Sequence, residues 1–139
     1  MSTVIRPEIS EKNEFYISKH RYYELKHFAL QYPLWKKAYS DIDGFRANYS
    51  VLNGTFATNV LVDVTAKYAM MKTFYAYRID MVERAAMDAD EDLWPYILRG
   101  VTEGRSYTYL KTKLDMPCSR DTYYNRFRKF FYLLSEYRD

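Results

Sequence analysis

The amino-acid sequence predicts an all-α protein built as a helical bundle, and two observations support this fold class. The 139 residues include only four Gly and four Pro, too few turn residues for a β-sandwich or a barrel. Apolar residues make up 48% of the chain, and many recur at three- and four-residue steps, as on helices that bury one face. This length and composition fit one globular domain, or one domain with an extension.

The first part of the chain, residues 1–62, is predicted to hold an N-terminal arm and a pair of helices. Residues 1–12 are polar, which is typical of a loose arm. Ser18 suits the N-cap of a first helix, and Pro33 ends that helix. Pro33 also suits the first turn of a second, short helix, which Gly44 is expected to close.

A boundary is predicted in residues 45–62, which hold three Asn together with Ser50, Gly54 and Thr55 and are expected to form a loop with one helical turn. A long helix then begins at Asp63 or Thr65 and continues to Ala89, because no Gly or Pro interrupts this stretch. It opens the second part, residues 63–139. The two parts are expected to form one compact domain.

Three further helices are predicted between Leu93 and Leu134. Gly104 is a natural C′ residue for the first of them. Ser106 caps the second, which is short, and Ser119 caps the third. A short helix, a turn and a longer helix make the layout of a helix-turn-helix. The complete fold class predicted from the sequence is therefore all-α, a helical bundle with a C-terminal helix-turn-helix.

Positive charge is concentrated at the C-terminal end of the chain. Residues 105–139 carry eight Lys and Arg against four Asp and Glu, whereas residues 63–104 are net negative and the whole chain is +3. A basic end is the electrostatic footprint expected of a protein that binds a polyanion. A solvated basic helix face explains the same charge equally well.

The last two predicted helices carry side chains that suit DNA. One face of the last helix is expected to pack on the preceding helices, which leaves its other side for base edges and phosphates. The residues of this packed face are Tyr123, Phe127, Phe130 and Phe131. Arg126 and Lys129 flank that other side and suit backbone phosphates. The predicted DNA-binding residues are Ser106, Tyr107, Lys111, Lys113, Ser119, Arg120, Asp121, Thr122, Tyr124, Asn125, Arg126, Arg128 and Lys129.

The run EGRSYTYLKTKLDMPCSRDTYYNRFRKFFYLL (Glu103 to Leu134) resembles region 4 of sigma factors and related phage transcription regulators. The similar features are an acidic residue and Gly before a short helix with the spaced pair Leu110 and Leu114, then Ser119–Thr122 opening an aromatic and basic recognition helix. The whole chain is also similar to small proteins encoded in phages and prophages of Gram-positive bacteria, with Tyr16–Lys36 as a second recurring block. The resemblance implies DNA binding and a role in phage late transcription.

The chain departs from the sigma-factor pattern at the turn and in two aromatic positions. The usual turn is a compact Gly-hydrophobic-Ser, whereas Asp115–Ser119 reads Asp-Met-Pro-Cys-Ser. Many similar sequences also carry a smaller residue at the positions of Tyr123 and Phe130. These differences widen the predicted turn and would change how the last helix docks.

Other classes of function have less support in the sequence. No set of nucleophile, base and orienting group appears, nor any Gly loop that could cradle a phosphate, so an enzyme is not expected. A metal site at His20 and His27 would need a third ligand such as Glu24, and this spacing matches no complete metal motif. The single Cys118 allows neither an internal disulfide nor a zinc motif, so no cofactor is expected. With no signal peptide and no run of roughly 20 apolar residues, a cytoplasmic protein without membrane contact is predicted.

The sequence thus predicts a transcription regulator that reads double-stranded DNA in the major groove. One alternative is a protein-interaction module that acts on RNA polymerase or another host protein through the aromatic block 16–39. Another is a DNA-packaging protein of the small-terminase type. Because a single helix-turn-helix reads one half-site, a homodimer also stays open, with the helix 65–89 as a dimer element or as core.

Overall fold

The computed structural model describes the backbone of residues 11–52 and 58–139 and the side chains of residues 11–44 and 63–139. Most of the predicted N-terminal arm lies outside these residues. The described residues form the helices α1 (Lys19–Leu30), α2 (Tyr32–Leu52), α3 (Thr58–Ala89), α4 (Trp94–Glu103), α5 (Tyr107–Lys113) and α6 (Arg120–Arg138). Every regular element in this part of the chain is a helix, which confirms the all-α class. No helix in the same residues is long and apolar enough to cross a membrane.

Bonds between side chains and nearby amides set the starts of three helices. The hydroxyl oxygens of Ser18, Ser106 and Ser119 each accept the amide three residues later, at 3.2, 3.1 and 3.2 Å. Each bond satisfies an amide that has no partner inside its helix. Gly104 ends α4 with a φ of 68°, and Pro33 lies in the first turn of α2. These predicted boundaries are confirmed.

Two helices are longer than the sequence predicts. α2 passes through Gly44 to Leu52, so the prediction that Gly44 closes a short helix is wrong. α3 begins at Thr58, so most of the predicted loop 45–62 is helical, while residues 53–57 lie outside the described part. A glycine inside a helix costs only about 1 kcal/mol relative to alanine, too little to end a helix that other contacts stabilise.

The chain divides into two compact units. The first comprises Met1–Tyr32 and Met81–Asp139, and the second comprises Pro33–Asp80. In the first unit α1 packs against α4 and α6, and α4 also contacts α5 and α6. This grouping follows contacts rather than chain order, so it differs from the sequence-based division after residue 62.

Apolar and aromatic side chains form the core of the first unit. On α1 the buried residues are Tyr22, Leu25, Phe28 and Ala29, and on α6 they are Tyr123, Phe130, Phe131 and Leu134. The rings of Tyr22 and Phe131 meet edge-on with their centroids 5.1 Å apart. Phe127, predicted for the same packed face, is half-buried and has its ring centroid 4.9 Å from that of Phe131.

The aromatic block 16–39 is largely part of the protein interior. Tyr22, Phe28, Tyr32 and Trp35 are all buried, and Tyr32 donates a hydrogen bond to the Glu83 carboxylate. These side chains therefore stabilise the fold. They do not form the open aromatic surface that the protein-interaction alternative requires of this block.

The second unit joins α2 to the first part of α3. The Lys72 ammonium lies 2.6 Å from the Asp43 carboxylate and 5.0 Å from the centroid of the Tyr39 ring. Next to this contact, a cleft between the two helices is lined by apolar side chains, among them Ile42 and Met71. One face of α3 is thus turned toward α2.

A close approach of α4 and α6 explains one glycine. A Cβ atom at Gly100 would overlap the Tyr123 hydroxyl and would lie 3.3 Å from Cδ1 of Leu110. Tyr123 and Leu110 are fully buried, so neither can move aside easily. Gly100 therefore allows α4, α5 and α6 to meet at one point.

Candidate nucleic-acid interface

The segment between α5 and α6 is held by hydrogen bonds from α5. The Tyr107 hydroxyl donates to the Cys118 carbonyl at 3.0 Å, and the Lys111 ammonium donates to the Met116 carbonyl at 3.1 Å and to that of Cys118 at 3.4 Å. The Met116 amide donates to the Leu110 carbonyl at 3.2 Å. These bonds fix the path of the chain into α6.

Backbone geometry and burial in this turn follow a simple pattern. Asp115 has a φ of 57°, in the left-handed region that Asp and Asn enter more readily than most residues. The side chain of Met116, next in sequence, is fully buried. A left-handed residue is therefore followed by an apolar anchor, and Ser119 then caps α6.

An exposed arginine at the start of α6 lies against aromatic rings. The guanidinium carbon of Arg120 is 5.0 Å from the centroid of the Tyr107 ring and 6.0 Å from that of Tyr124. The Tyr107 and Tyr124 rings are themselves 6.3 Å apart. Cation–π contacts at exposed sites contribute about 0.5–1 kcal/mol, which restrains the side chain without removing it from solvent.

One face of α6 is open only over the first part of the helix. Asp121, Asn125 and Arg128 are spaced four and three residues apart and therefore share this face. Asp121 is exposed, and Asn125 and Arg128 are partly exposed. Further along the same face, the ring of Phe15 packs on Tyr132 with the centroids 5.8 Å apart. The polar open face therefore ends before Tyr132.

Arg126 points in a different direction from its neighbours on α6. Its Nε lies 3.2 Å from Oδ2 of Asp90, and only about a third of its side chain is exposed. The other carboxylate oxygen of Asp90 accepts the amides of Asp92 and Leu93, both at 2.8 Å. Arg126 therefore forms an ion pair with the group that orders the turn before α4. Its predicted phosphate contact would compete with this pair.

No family model, no curated protein and no solved structure matches the chain.

Several more of the predicted DNA-binding residues have local partners. Ser106 and Ser119 serve as N-caps, and the Ser119 hydroxyl also donates to the Thr122 hydroxyl at 3.0 Å. The set contains three lysines. Lys111 already bonds to the turn, whereas Lys113 is exposed and Lys129 is half-exposed. These two are better placed for contact with a ligand than a lysine that already bonds to the turn.

All thirteen predicted residues lie on α5 and its cap, in the turn or on the first half of α6. Those exposed to solvent are Ser106, Lys111, Lys113, Ser119, Arg120, Asp121 and Thr122. Those partly exposed are Tyr107, Tyr124, Asn125, Arg126, Arg128 and Lys129. The structure therefore brings the set to one short region, in which Arg126 and Lys111 have the clearest structural roles.

One basic residue near this region was not among the predicted ones. Arg105 is exposed just before α5, with its guanidinium carbon 4.4 Å from the centroid of the Tyr109 ring. Its Nε lies 3.3 Å from Glu103. Hydrogen bonds from Arg99 and Arg105 hold the pKa of the Glu103 carboxyl below its ordinary value, that from Arg99 having the larger effect. In the sequence, the position of Arg105 next to Ser106, the predicted N-cap of α5, could have indicated that Arg105 lies near this region.

The described residues offer no arrangement that suggests bound metal or a reactive thiol. No three His, Cys, Asp or Glu side chains among them are grouped so that they could hold a metal ion. Burial raises the pKa of the Cys118 thiol, and this effect outweighs the opposing one of nearby Lys111. A raised pKa disfavours the thiolate that nucleophilic chemistry needs.

Proposed function

We propose that the chain is a DNA-binding transcription regulator of the phage and prophage type, and that α5, the turn and α6 act as its helix-turn-helix. The observation that supports this most is the start of α6. Arg120 is exposed and restrained by Tyr107 and Tyr124, and Asn125 and Arg128 lie on the adjoining open face. In a helix-turn-helix the first turns of the second helix meet base edges in the major groove.

The side chains of the open face match the groups that bases present there. Arginine donates two hydrogen bonds to guanine, and asparagine both donates to and accepts from adenine. Asp121 can accept from the amino group of cytosine. Lys113 and Lys129 suit phosphates, which carry no sequence information but add affinity. The two arginines and the asparagine would then supply most of the specificity.

The turn also supports the proposal. The sigma-factor pattern has Gly followed by an apolar residue, and here Asp115 takes the left-handed conformation with Met116 buried after it. After glycine, Asp and Asn enter the left-handed region most readily, so Asp115 can stand where that pattern has glycine.

The first experiment is to incubate the purified protein with mixed genomic DNA fragments at two salt concentrations and to sequence the retained fragments. We expect retention that falls steeply with salt, together with an enriched sequence motif. Retention without a motif would favour the DNA-packaging alternative. Absence of binding at low salt would contradict the proposal and favour a protein-interaction module.

A second experiment tests the residues. Arg120→Ala and Arg128→Ala should each weaken binding to the selected sequence by about tenfold to a hundredfold, as expected when a direct base contact is lost. Lys37→Ala is the matched control, because it removes the same charge from an exposed site on α2, outside the basic end. Circular dichroism should show unchanged helix content in all three. Full affinity in both arginine variants would rule out this assignment of the site.

A further inference from the structure

An aromatic side chain lies between the two arginines that the proposed site assigns to bases. Arg120, Tyr124 and Arg128 follow one another at four-residue steps, so they form one row along the surface of α6. Arg120 is exposed, and Tyr124 and Arg128 are partly exposed. This arginine–tyrosine row therefore has a ring at its centre and a cation at each end.

Other aromatic rings hold Tyr124 in place. Its ring meets those of Tyr123 and Phe127 edge-on, with centroid distances of 5.1 and 5.9 Å. The ring of Tyr107 on α5 lies 6.3 Å away. Tyr123 is fully buried, so the support comes from the core of the unit. A side chain that is already ordered loses little freedom on binding, and Tyr124 thus presents a preformed surface.

The chemistry of the major groove limits what an aromatic ring can recognise there. Base edges present hydrogen-bond donors and acceptors to a protein, and the apolar group among them is the C5 methyl of thymine. A ring cannot replace the water lost by a polar base edge, whereas it gains free energy when it covers a methyl group. The arginines at the two ends of the row suit the polar edges of guanine. The ring between them suits thymine.

We propose that Tyr124 determines specificity by packing its ring on the C5 methyl of a thymine, in a base pair between the guanines that Arg120 and Arg128 contact. This inference rests on the proposed function, because it requires α6 to lie in the major groove. From Arg120 to Arg128 the helix rises about 12 Å, which corresponds to about three to four base steps of 3.4 Å. The row is therefore long enough for a thymine between two guanines.

The surroundings of Tyr124 favour a methyl group over an unpaired base. Stacking on a base would use a whole face of the ring. The guanidinium carbon of Arg120 lies over the Tyr124 ring, 6.0 Å from its centroid, and takes up part of that space. A methyl group is small enough to contact the part of the ring that stays open. The arrangement thus fits a paired thymine in duplex DNA.

The test removes the methyl group from the DNA. Each thymine of the selected site is replaced in turn by deoxyuridine, which lacks only the C5 methyl, and binding of the full chain is followed by fluorescence anisotropy. The two guanines are the positions at which Arg120→Ala and Arg128→Ala lose their base preference. We expect a deoxyuridine between them to weaken binding about threefold to fivefold, the usual effect of one buried methyl group.

The outcomes separate this inference from the proposed function. If the protein selects a sequence but no thymine between the two guanines responds to loss of its methyl, the inference is overturned and the proposed function stands. If no sequence is selected, the proposed function fails and the inference fails with it. Tighter binding to a single strand of the site than to the duplex would also overturn the inference, in favour of base stacking.

A variant of the protein connects the methyl group to the ring. In Tyr124→Ala the same deoxyuridine should change affinity by less than about twofold, because the ring that contacts the methyl is gone. Tyr132→Ala is the matched control, since it removes a partly exposed tyrosine from the same helix, where the ring packs on Phe15 outside the row. It should keep the full methyl effect. A full methyl effect in Tyr124→Ala would overturn the proposal.

The conservative variant Tyr124→Phe separates the ring from its hydroxyl. It keeps the aromatic face, so the methyl effect should stay within about twofold of that of the unaltered chain. If Tyr124→Phe lost the methyl effect as completely as Tyr124→Ala, the hydroxyl rather than the ring would be responsible, and the proposal would be overturned.

Discussion

Arg126 and Arg128 are two positions apart on α6 and differ in what surrounds them. A separation of two residues turns a helix by about 200°, so the two side chains point to nearly opposite sides. Arg126 pairs with Asp90 at 3.2 Å, whereas Arg128 lies on the open face with Asn125. The same residue type therefore has a structural role at one position and a proposed recognition role at the other.

This difference can be measured by urea denaturation. Arg126→Ala should lower the free energy of unfolding by about 1–2 kcal/mol, because it leaves the partly buried Asp90 carboxylate without its cation. Arg128→Ala should change that free energy by no more than about 0.5 kcal/mol, as for most surface positions. DNA affinity should fall in Arg128→Ala. Equal stability of the two variants would contradict the structural role of Arg126.

Gly100 is a residue whose replacement by alanine should destabilise the protein in spite of a better helix propensity. The added Cβ would overlap the buried Tyr123 hydroxyl, and we expect a loss of about 1–3 kcal/mol, typical of overpacking. Gly44→Ala is the control, because nothing lies within 4 Å of a Cβ there, so it should gain up to about 1 kcal/mol from helix propensity.

A rescue experiment identifies the cause. Tyr123→Phe removes the hydroxyl that a Cβ at Gly100 would meet, so the double variant should recover most of the stability that Gly100→Ala loses. The interaction free energy of the two substitutions follows from a double-mutant cycle in urea. Strictly additive losses would show that the hydroxyl is not the obstacle.

At the scale of elements, the turn between α5 and α6 depends on α5 for its shape. Lys111 donates to two carbonyls of the turn, whereas Lys113, two residues later, is simply exposed. Lys111→Ala should therefore lower the free energy of unfolding by about 0.5–1.5 kcal/mol, the usual contribution of such bonds. Lys113→Ala removes the same charge and should leave stability unchanged. Thermal melts of the two variants test this prediction. Coincident melting curves would contradict it.

Helix boundaries could be predicted from the sequence where their causes are local. Ser18, Ser106 and Ser119 bond to amides three residues away, and Gly104 ends α4 through its own backbone conformation. The extension of α2 past Gly44 could not be predicted, because composition alone does not show whether contacts offset the cost of an internal glycine.

The candidate site could likewise be predicted from the sequence only where its causes are local. The cap and spacing patterns placed the predicted set correctly on α5, the turn and the first half of α6. They could not separate Arg126 from Arg128 by role, because the partner of Arg126 is Asp90, 36 positions earlier in the chain. Nor could they show that Arg120 lies against Tyr107, since that contact depends on how the turn folds.

At the scale of the whole molecule, the distribution of charge leads to a prediction about salt. The chain has a net charge of +3, yet residues 105–139 alone carry four more cations than anions. Lys111 bonds to the turn and Arg126 pairs with Asp90, so neither is counted as a contact to DNA. The proposed site uses Arg120 and Arg128 at bases and Lys113 and Lys129 at phosphates. Each phosphate neutralised makes the slope of log affinity against log salt more negative by about 0.9, so these two lysines should contribute a slope of about −2 per chain.

That slope can be measured by titrating a labelled copy of the selected DNA at several salt concentrations and following its fluorescence anisotropy. Lys113→Ala and Lys129→Ala should each make the slope shallower by about one and weaken binding to all sequences alike, because a phosphate contact carries no sequence information. Lys37→Ala, which removes a charge from α2, should leave the slope unchanged. If Lys37→Ala altered the slope as much as the other two, affinity would follow the net charge of the chain, and the basic end would have no particular role in binding.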